Sequence, residues 1–320
     1  MAVCLSQLYQ ENKRGIKAGY AKFETFPIWN LPLTHPVNLA YEAATADLED
    51  VNMIDPFHLD AYGETAVNYN RAVEIFPVMN ALFDDIYGST PYKSPTDMGV
   101  NMVGFCICGD EVCREASLQE IIRRYYTALC NFADGKATEA EVNKLALLMK
   151  KAKISTAYRK STVSAKERLE VSSGATAAIE LNDGTILTAE TSFLLGPSAA
   201  LLLNALKHLV GIAHNVKLIH QTMIEPIQKT KVTYLHGRTP RLHTDEVLVA
   251  ISMMSLIDEN CKMALDQLPN LAGAQVHSTV MLSGVDRKTF NKLGIGLTCD
   301  PVRKAEGQGK DSLEPQGQSD

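Results

Sequence analysis

The chain has 320 residues, enough for one large or two medium domains, and a hydrophobic fraction of 46% that supports a sizeable core. Its 31 basic residues stand against 37 acidic ones, a net charge of -6. That balance argues against a general nucleic-acid binder, which needs a basic surface. The 7 cysteines are odd in number and irregular in spacing, with no secretory signal, so they read as reduced thiols of a cytoplasmic protein. No apolar run reaches the ~18 residues of a membrane helix, so no membrane partner is expected.

In chain order, Met1 to Arg14 reads as an amphipathic helix stopped by Gly15, and Ile16 to Ala21 as a strand. Nothing in the sequence precedes that helix to satisfy its first-turn N–H groups. Pro36 suits the first turn of a helix running to about Leu48. Asn52 to His58 reads as a short strand ending in a polar loop. Tyr69 to Tyr87 is helical, with a kink expected at Pro77 and a stop at Gly88 to Pro91. Ser94 to Asn101 reads as an extended loop. Cys106, Cys108 and Cys113 lack a second ligand pair at zinc spacing, and a buried strand end is the favoured reading, with no metal.

From Glu111 to Phe132 the pattern is a long helix closed by Gly135. Thr138 to Glu141 has capping-box spacing, and Val142 to Lys153 continues as a helix, giving a helical pair. Ser161 to Ser173 reads as a helix before a linker. Thr176–Leu181 and Thr185–Ala189 alternate in polarity around Asn182-Asp183-Gly184, a strong hairpin signal. Helices follow near Ser198–Val210, Ile224–Leu235, Thr244–Ile257 and Asn260–Leu268. Strand-like runs fall at Val216–Ile219 and Gln275–Leu282, and a last helix at Val285–Leu293. This alternation implies an α/β region. Beyond Pro301 almost no residue is apolar, and a disordered tail is expected.

Candidate ligand-binding residues sit in loops and at helix starts. Arg241 and His243 precede an apolar helix for which Thr244 is the expected N-cap, with Asp245 and Glu246 suited to the positive end of its dipole. An arginine beside a helix N-terminus is a natural anion group. Thr191 and Ser192 precede a Gly-containing helix start, where hydroxyls hold a phosphate or cap the helix, and capping is favoured. Glu190 would repel an anion there. His58 and His277 could act as bases or ligands, although an isolated histidine is more often a hydrogen-bonded structural residue. Arg71, Asp97 and Asn101 are of types that hold sugars or phosphates, and the latter two equally suit loop chemistry. No catalytic residue can be named, and G-x-S-x-G, H-E-x-x-H and C-x-x-C are all absent.

The stretches Ala18–Pro32, Asn52–Tyr62, Ser94–Met102, Gln119–Tyr126, Ser198–Lys207, Pro240–Glu246 and His277–Leu282 together resemble a bacterial uncharacterised family, domain of unknown function eighteen-forty-six. The resemblance runs from Met1 to about Pro301. Some members of that family carry the label ATP-dependent peptidase, which no protease motif here supports. The resemblance implies a multidomain α/β cytoplasmic protein with no established activity. It also implies a Rossmann-like region and a phosphate-loop-like Pro-Gly-Pro-Gly-Ser-Gly-Lys turn leading into a helix similar to Met1–Tyr9. On that comparison this chain starts after the lysine and would be truncated. It also carries Ala189-Glu190 where relatives tend to have Gly-Lys.

The resulting expectation is an incomplete N-terminal α/β domain over 1–108, a remainder of the Rossmann-like, phosphate-loop-like region. A helical subdomain follows over 109–172, then a C-terminal α/β domain over 173–302 and a tail over 303–320. Intact relatives would bind a nucleotide or phosphorylated metabolite, with enzymatic activity undecided and the cofactor unknown. The alternative is a non-enzymatic binding or assembly module presenting the helical pair. An open edge at Ile16–Ala21 would favour marginal solubility or homo-oligomerisation.

Overall fold

The computed structural model describes residues 2–21, 26–99 and 101–303. The chain divides into two compact units, Met1–Ala128 with Gly135–Ser155, and Leu129–Asp134 with Thr156–Asp320. Both mix helix and strand, with one small sheet in each among the described residues.

The first unit begins with α1 (Ala2–Lys13), which buries Leu8. The strand expected at Ile16–Ala21 does not form; the segment is irregular. Tyr92 is the reason. Its hydroxyl accepts the Tyr20 N–H at 2.6 Å and donates to the Tyr20 carbonyl at 2.8 Å, doing for this backbone what a neighbouring strand would do. The open edge anticipated there therefore has no strand to carry it. α2 (Pro36–Ala44) has proline in its first turn and His35 as N-cap, and a short 3-10 turn, Ala46–Leu48, follows.

The polar loop expected after the strand β1 (Asn52–Ile54) is instead a helix start. Asp55 accepts the N–H groups of Phe57 and His58 and so caps α3 (Pro56–Tyr62). β2 (Val67–Tyr69), which sequence periodicity missed, pairs antiparallel with β1. α4 (Asn70–Tyr87) contains Pro77 and stops at Gly88, whose φ of 79° is the left-handed conformation glycine adopts without strain. The expected extended loop at Ser94–Asn101 holds a one-turn helix, α5 (Pro95–Met98). Ser94 Oγ accepts the Asp97 N–H, and Asp97 accepts the Ser94 N–H in return. Cys106 and Cys108 are exposed in and beside the 3-10 turn Met102–Cys106, not at a buried strand end. α6 (Asp110–Ala133), whose residues from Leu129 on belong to the second unit, and α7 (Glu139–Lys151) follow, with Thr138 capping α7. Leu8, Phe76, Met79, Phe83 and Met98 form one apolar cluster of this unit.

The second unit opens with α8 (Lys160–Glu170). The hairpin forms as expected: β3 (Thr176–Glu180) and β4 (Ile186–Glu190) are antiparallel around a loop with Gly184 at φ 83°. Next come α9 (Pro197–Leu209), α10 (Gln221–Lys229), α11 (Thr244–Met254), α12 (Glu259–Leu265), β5 (Gln275–Ser278), α13 (Gly284–Lys292) and β6 (Gly296–Cys299). α10 is shorter than the helix expected to Leu235, and a π-helical turn, Thr230–Tyr234, continues it. Val216–Ile219 is not a strand. Leu218 and Ile219 are apolar because they are buried against helices, and Leu218 offers its carbonyl to the Cys261 thiol.

The four strands lie in the order β4-β3-β5-β6. β3 is antiparallel to both neighbours and β5 is parallel to β6, so β4, β5 and β6 all run the same way. Their carboxyl ends share one edge of the sheet. The core of the unit sits where α9 covers the sheet, with Ala199, Leu201, Ala205, Leu206 and Val276 fully buried. The guanidinium of Arg159, itself 0% exposed, donates to the carbonyls of Val276 and Gly296, joining β5 to the start of β6. Among the described residues no helix is long and apolar enough to cross a membrane. The expected tail lies outside the described residues from residue 304 on.

Candidate functional site

In the first unit the candidate residues are engaged in internal bonds. Arg71 pairs with the buried Asp50 at 2.9 Å. Asp97, besides its capping role, accepts the Tyr62 hydroxyl at 3.0 Å. Asn101 accepts the Val103 N–H and donates to the Phe26 carbonyl and the Tyr41 hydroxyl. His58 Nδ1 lies 3.1 Å from Ser94 Oγ. Behind them, Asp55 is 0% exposed and its second oxygen accepts the N–H and hydroxyl of Thr96. The structure brings His58 and Asp97 to one network, but that network is a set of caps tying α3 to α5. Its donors and acceptors are mostly spent on one another.

In the second unit, three candidate residues gather with two that sequence reasoning did not single out. The carboxyl edge of the sheet receives Thr191 and Ser192 after β4, Ser283 and Asp286 after β5, and Asp300 after β6. Carboxyl edges are where α/β folds hold ligands, because chain direction and helix N-termini converge there.

Neither Thr191 nor Ser192 caps α9, whose N-cap is Gly196. Thr191 Oγ donates to the Ala175 carbonyl, and Ser192 Oγ accepts the Leu195 N–H at 3.0 Å. Ser192 nevertheless belongs to the cluster. Its carbonyl accepts Arg241 Nε at 2.7 Å. That bond anchors the guanidinium at Nε, and its two terminal nitrogens have no partner among the described residues. Glu190 accepts a bond from Arg168 at 3.1 Å, so its charge is partly offset.

Between Arg241 and His243, Leu242 is 1% exposed and bridges to Leu195 in parallel fashion. His243, not Thr244, is the N-cap residue of α11, and its N–H donates to Glu246 at 2.7 Å.

His243 Nδ1 stands 3.0 Å from Asp286 Oδ2. The other oxygen of Asp286 accepts the N–H and hydroxyl of Thr244, and Ser283 Oγ donates to Oδ2 at 2.7 Å. Burial alone would push the Asp286 carboxyl up. The bonds from His243, Thr244 and Ser283 outweigh it and hold the group well below the usual carboxylate range. Asp286 is thus an ionised acceptor, so Nδ1 carries the proton in the neutral ring. Nε2 has no partner among the described residues, and the side chain is 23% exposed.

His277 lies apart, 0% exposed within β5. Its Nδ1 is 2.9 Å from Thr298 Oγ1 and its Nε2 3.5 Å from Asp300. Burial pushes the imidazole down, and Asp300 only partly restores it. It reads as a core histidine. Asp286 was legible in principle, since Ser283-x-x-Asp286 is helix-start spacing. Its pairing across 43 residues with His243 was not.

Two family models match the chain: "Domain of unknown function DUF1846, N-terminal" over residues 1–153, and "Domain of unknown function DUF1846, C-terminal" over residues 157–307. Similar curated proteins are "UPF0371 protein cu0538" of Corynebacterium urealyticum, 54% identical over 301 residues, and a "UPF0371 protein" of Corynebacterium aurimucosum, 56% identical over 302. A "UPF0371 protein" of Streptococcus pneumoniae is 52% identical over 301 residues. Each match covers 94% of this chain and 61% of the relative. The chain thus spans about three fifths of the length of these relatives. The resemblance read from the loops is borne out at the level of the family: the chain belongs to the uncharacterised bacterial family described as domain of unknown function DUF1846.

Proposed function

We propose that the second unit binds a phosphorylated small molecule, a class that includes nucleotides, at the carboxyl edge of its sheet, with Arg241 as the anion-holding group. The observation that carries this reading is the bond from Arg241 Nε to the Ser192 carbonyl. It orients a guanidinium whose remaining donors form a planar fork suited to two phosphate oxygens. Two of the acidic residues flanking this region are already engaged. Glu190 pairs with Arg168, and Glu246 with Lys231 at 2.7 Å.

Titration with inorganic phosphate, followed by backbone amide NMR shifts, tests this. Wild type should show saturable shifts at Ser192, Arg241 and His243. Arg241→Gln should weaken binding at least tenfold, while Lys292→Gln, which removes the same charge from an exposed position, should not. Equal affinity in wild type and Arg241→Gln would sink the proposal.

A further inference from the structure

We infer that His243 is a general acid–base group of this site, moving a proton between its Nε2 and the ligand that Arg241 holds, and that Asp286 is the positioning residue that selects the Nδ1–H tautomer and so leaves the lone pair of the neutral ring on Nε2. The inference rests on the anion-binding reading above and goes beyond it, since binding an anion needs neither residue.

Three observations meet here. The ring is fixed at one nitrogen only, Nδ1 to Asp286 at 3.0 Å, and a carboxylate there selects the Nδ1–H tautomer. The opposite nitrogen has no partner among the described residues, and the side chain is 23% exposed, so a ligand can reach the ring. Arg241 and His243 flank Leu242 at the start of α11, so the base lies two residues from the group that would hold the anion.

Ser283 does not complete a nucleophilic triad. Its hydroxyl donates to Asp286 at 2.7 Å and lies 3.4 Å from Nδ1, on the wrong side of the ring. The chemistry is therefore proton transfer at oxygen. An O–H of the ligand, or of a water beside it, gives its proton to the Nε2 lone pair. The O–H electron pair stays on oxygen, which becomes the stronger nucleophile. The imidazolium is balanced by the Asp286 carboxylate and returns the proton to the leaving or product oxygen. Nothing is oxidised or reduced.

The test is nitrogen NMR of the imidazoles, with His243 assigned by comparison with His243→Gln. At pH 8 the neutral ring should be Nδ1–H in wild type. Asp286→Asn keeps an oxygen for Thr244 and turns a donor toward Nδ1, so the tautomer should invert to Nε2–H. If that variant fails to fold, the wild-type tautomer decides alone, and an Nε2–H ring there overturns the inference. With saturating inorganic phosphate at pH 8, the Nε2 resonance should move toward the protonated range in wild type and stay in place in Arg241→Gln. Phosphate that binds through Arg241 without moving Nε2 overturns the proton-transfer role and leaves anion binding standing. Phosphate that does not bind overturns both.

Discussion

One carboxylate oxygen of Asp286 accepts both the N–H and the hydroxyl of Thr244, each at 3.0 Å. The first turn of α11 and the first turn of α13 are thereby held by a single side chain that is 1% exposed. Removing it strands buried donors on two helices. Asp286→Ala should cost about 2–4 kcal/mol, read as a lower urea midpoint for amide exchange in α11 and α13. Asp286→Asn should cost less, because an amide oxygen still serves Thr244.

The same residue links stability to acid. Its folded value lies below that of an unfolded aspartate, about 3.9. The stability it contributes is present above about pH 4 and is lost as pH falls toward the folded value. Urea midpoints of the second unit should decline below about pH 4, and Asp286→Asn should flatten that decline. An identical acid profile in both proteins would contradict the linkage.

How far the sequence revealed these arrangements depends on the range of the forces involved. The hairpin at Asn182-Asp183-Gly184 was legible because its turn chemistry is local. So was the family, carried by many short motifs in order. Ile16–Ala21 was misread because its alternation looks like a strand, while its partner is Tyr92, 72 residues away. β6 escaped because Gly296–Cys299 is four residues long, below the length at which period two can be distinguished. Within the candidate site, Arg241 and His243 stood out as polar residues at a helix start. Their partners Ser192 and Asp286 lie 49 and 43 residues away, so the orientation of each side chain could be seen only in three dimensions.

In the first unit, Asp55 holds α3 and α5 together through four hydrogen bonds, from Phe57 N, His58 N, Thr96 N and Thr96 Oγ. Asp55→Ala would leave these buried groups unpaired, at a cost on the order of 3 kcal/mol. The chain has 1 tryptophan, Trp29, and its ring meets His58 edge-on at 5.9 Å. Its fluorescence therefore reports this region directly. The Trp29 unfolding transition should move to lower urea in Asp55→Ala. An unchanged midpoint would mean that the network is not a stabilising one.

The thiols give a prediction that separates burial from chemistry. Cys4, Cys106 and Cys108 are exposed and Cys113 is half-buried, while Cys130, Cys261 and Cys299 are buried. Burial pushes the Cys130 and Cys261 thiols up to about 11 and Cys299 to about 12. The thiolate is the reactive form, so these three are disfavoured twice, by access and by protonation. At pH 8 a water-soluble disulfide reagent should label Cys4, Cys106 and Cys108 fastest and Cys113 more slowly. Cys130, Cys261 and Cys299 should react only on unfolding, at a rate that tracks urea concentration. Mass spectrometry of the labelled peptides resolves the sites. Rapid native labelling of Cys299 would mean that the carboxyl end of β6, and the sheet edge it shares with Ser192 and Asp286, opens far more readily than its packing implies.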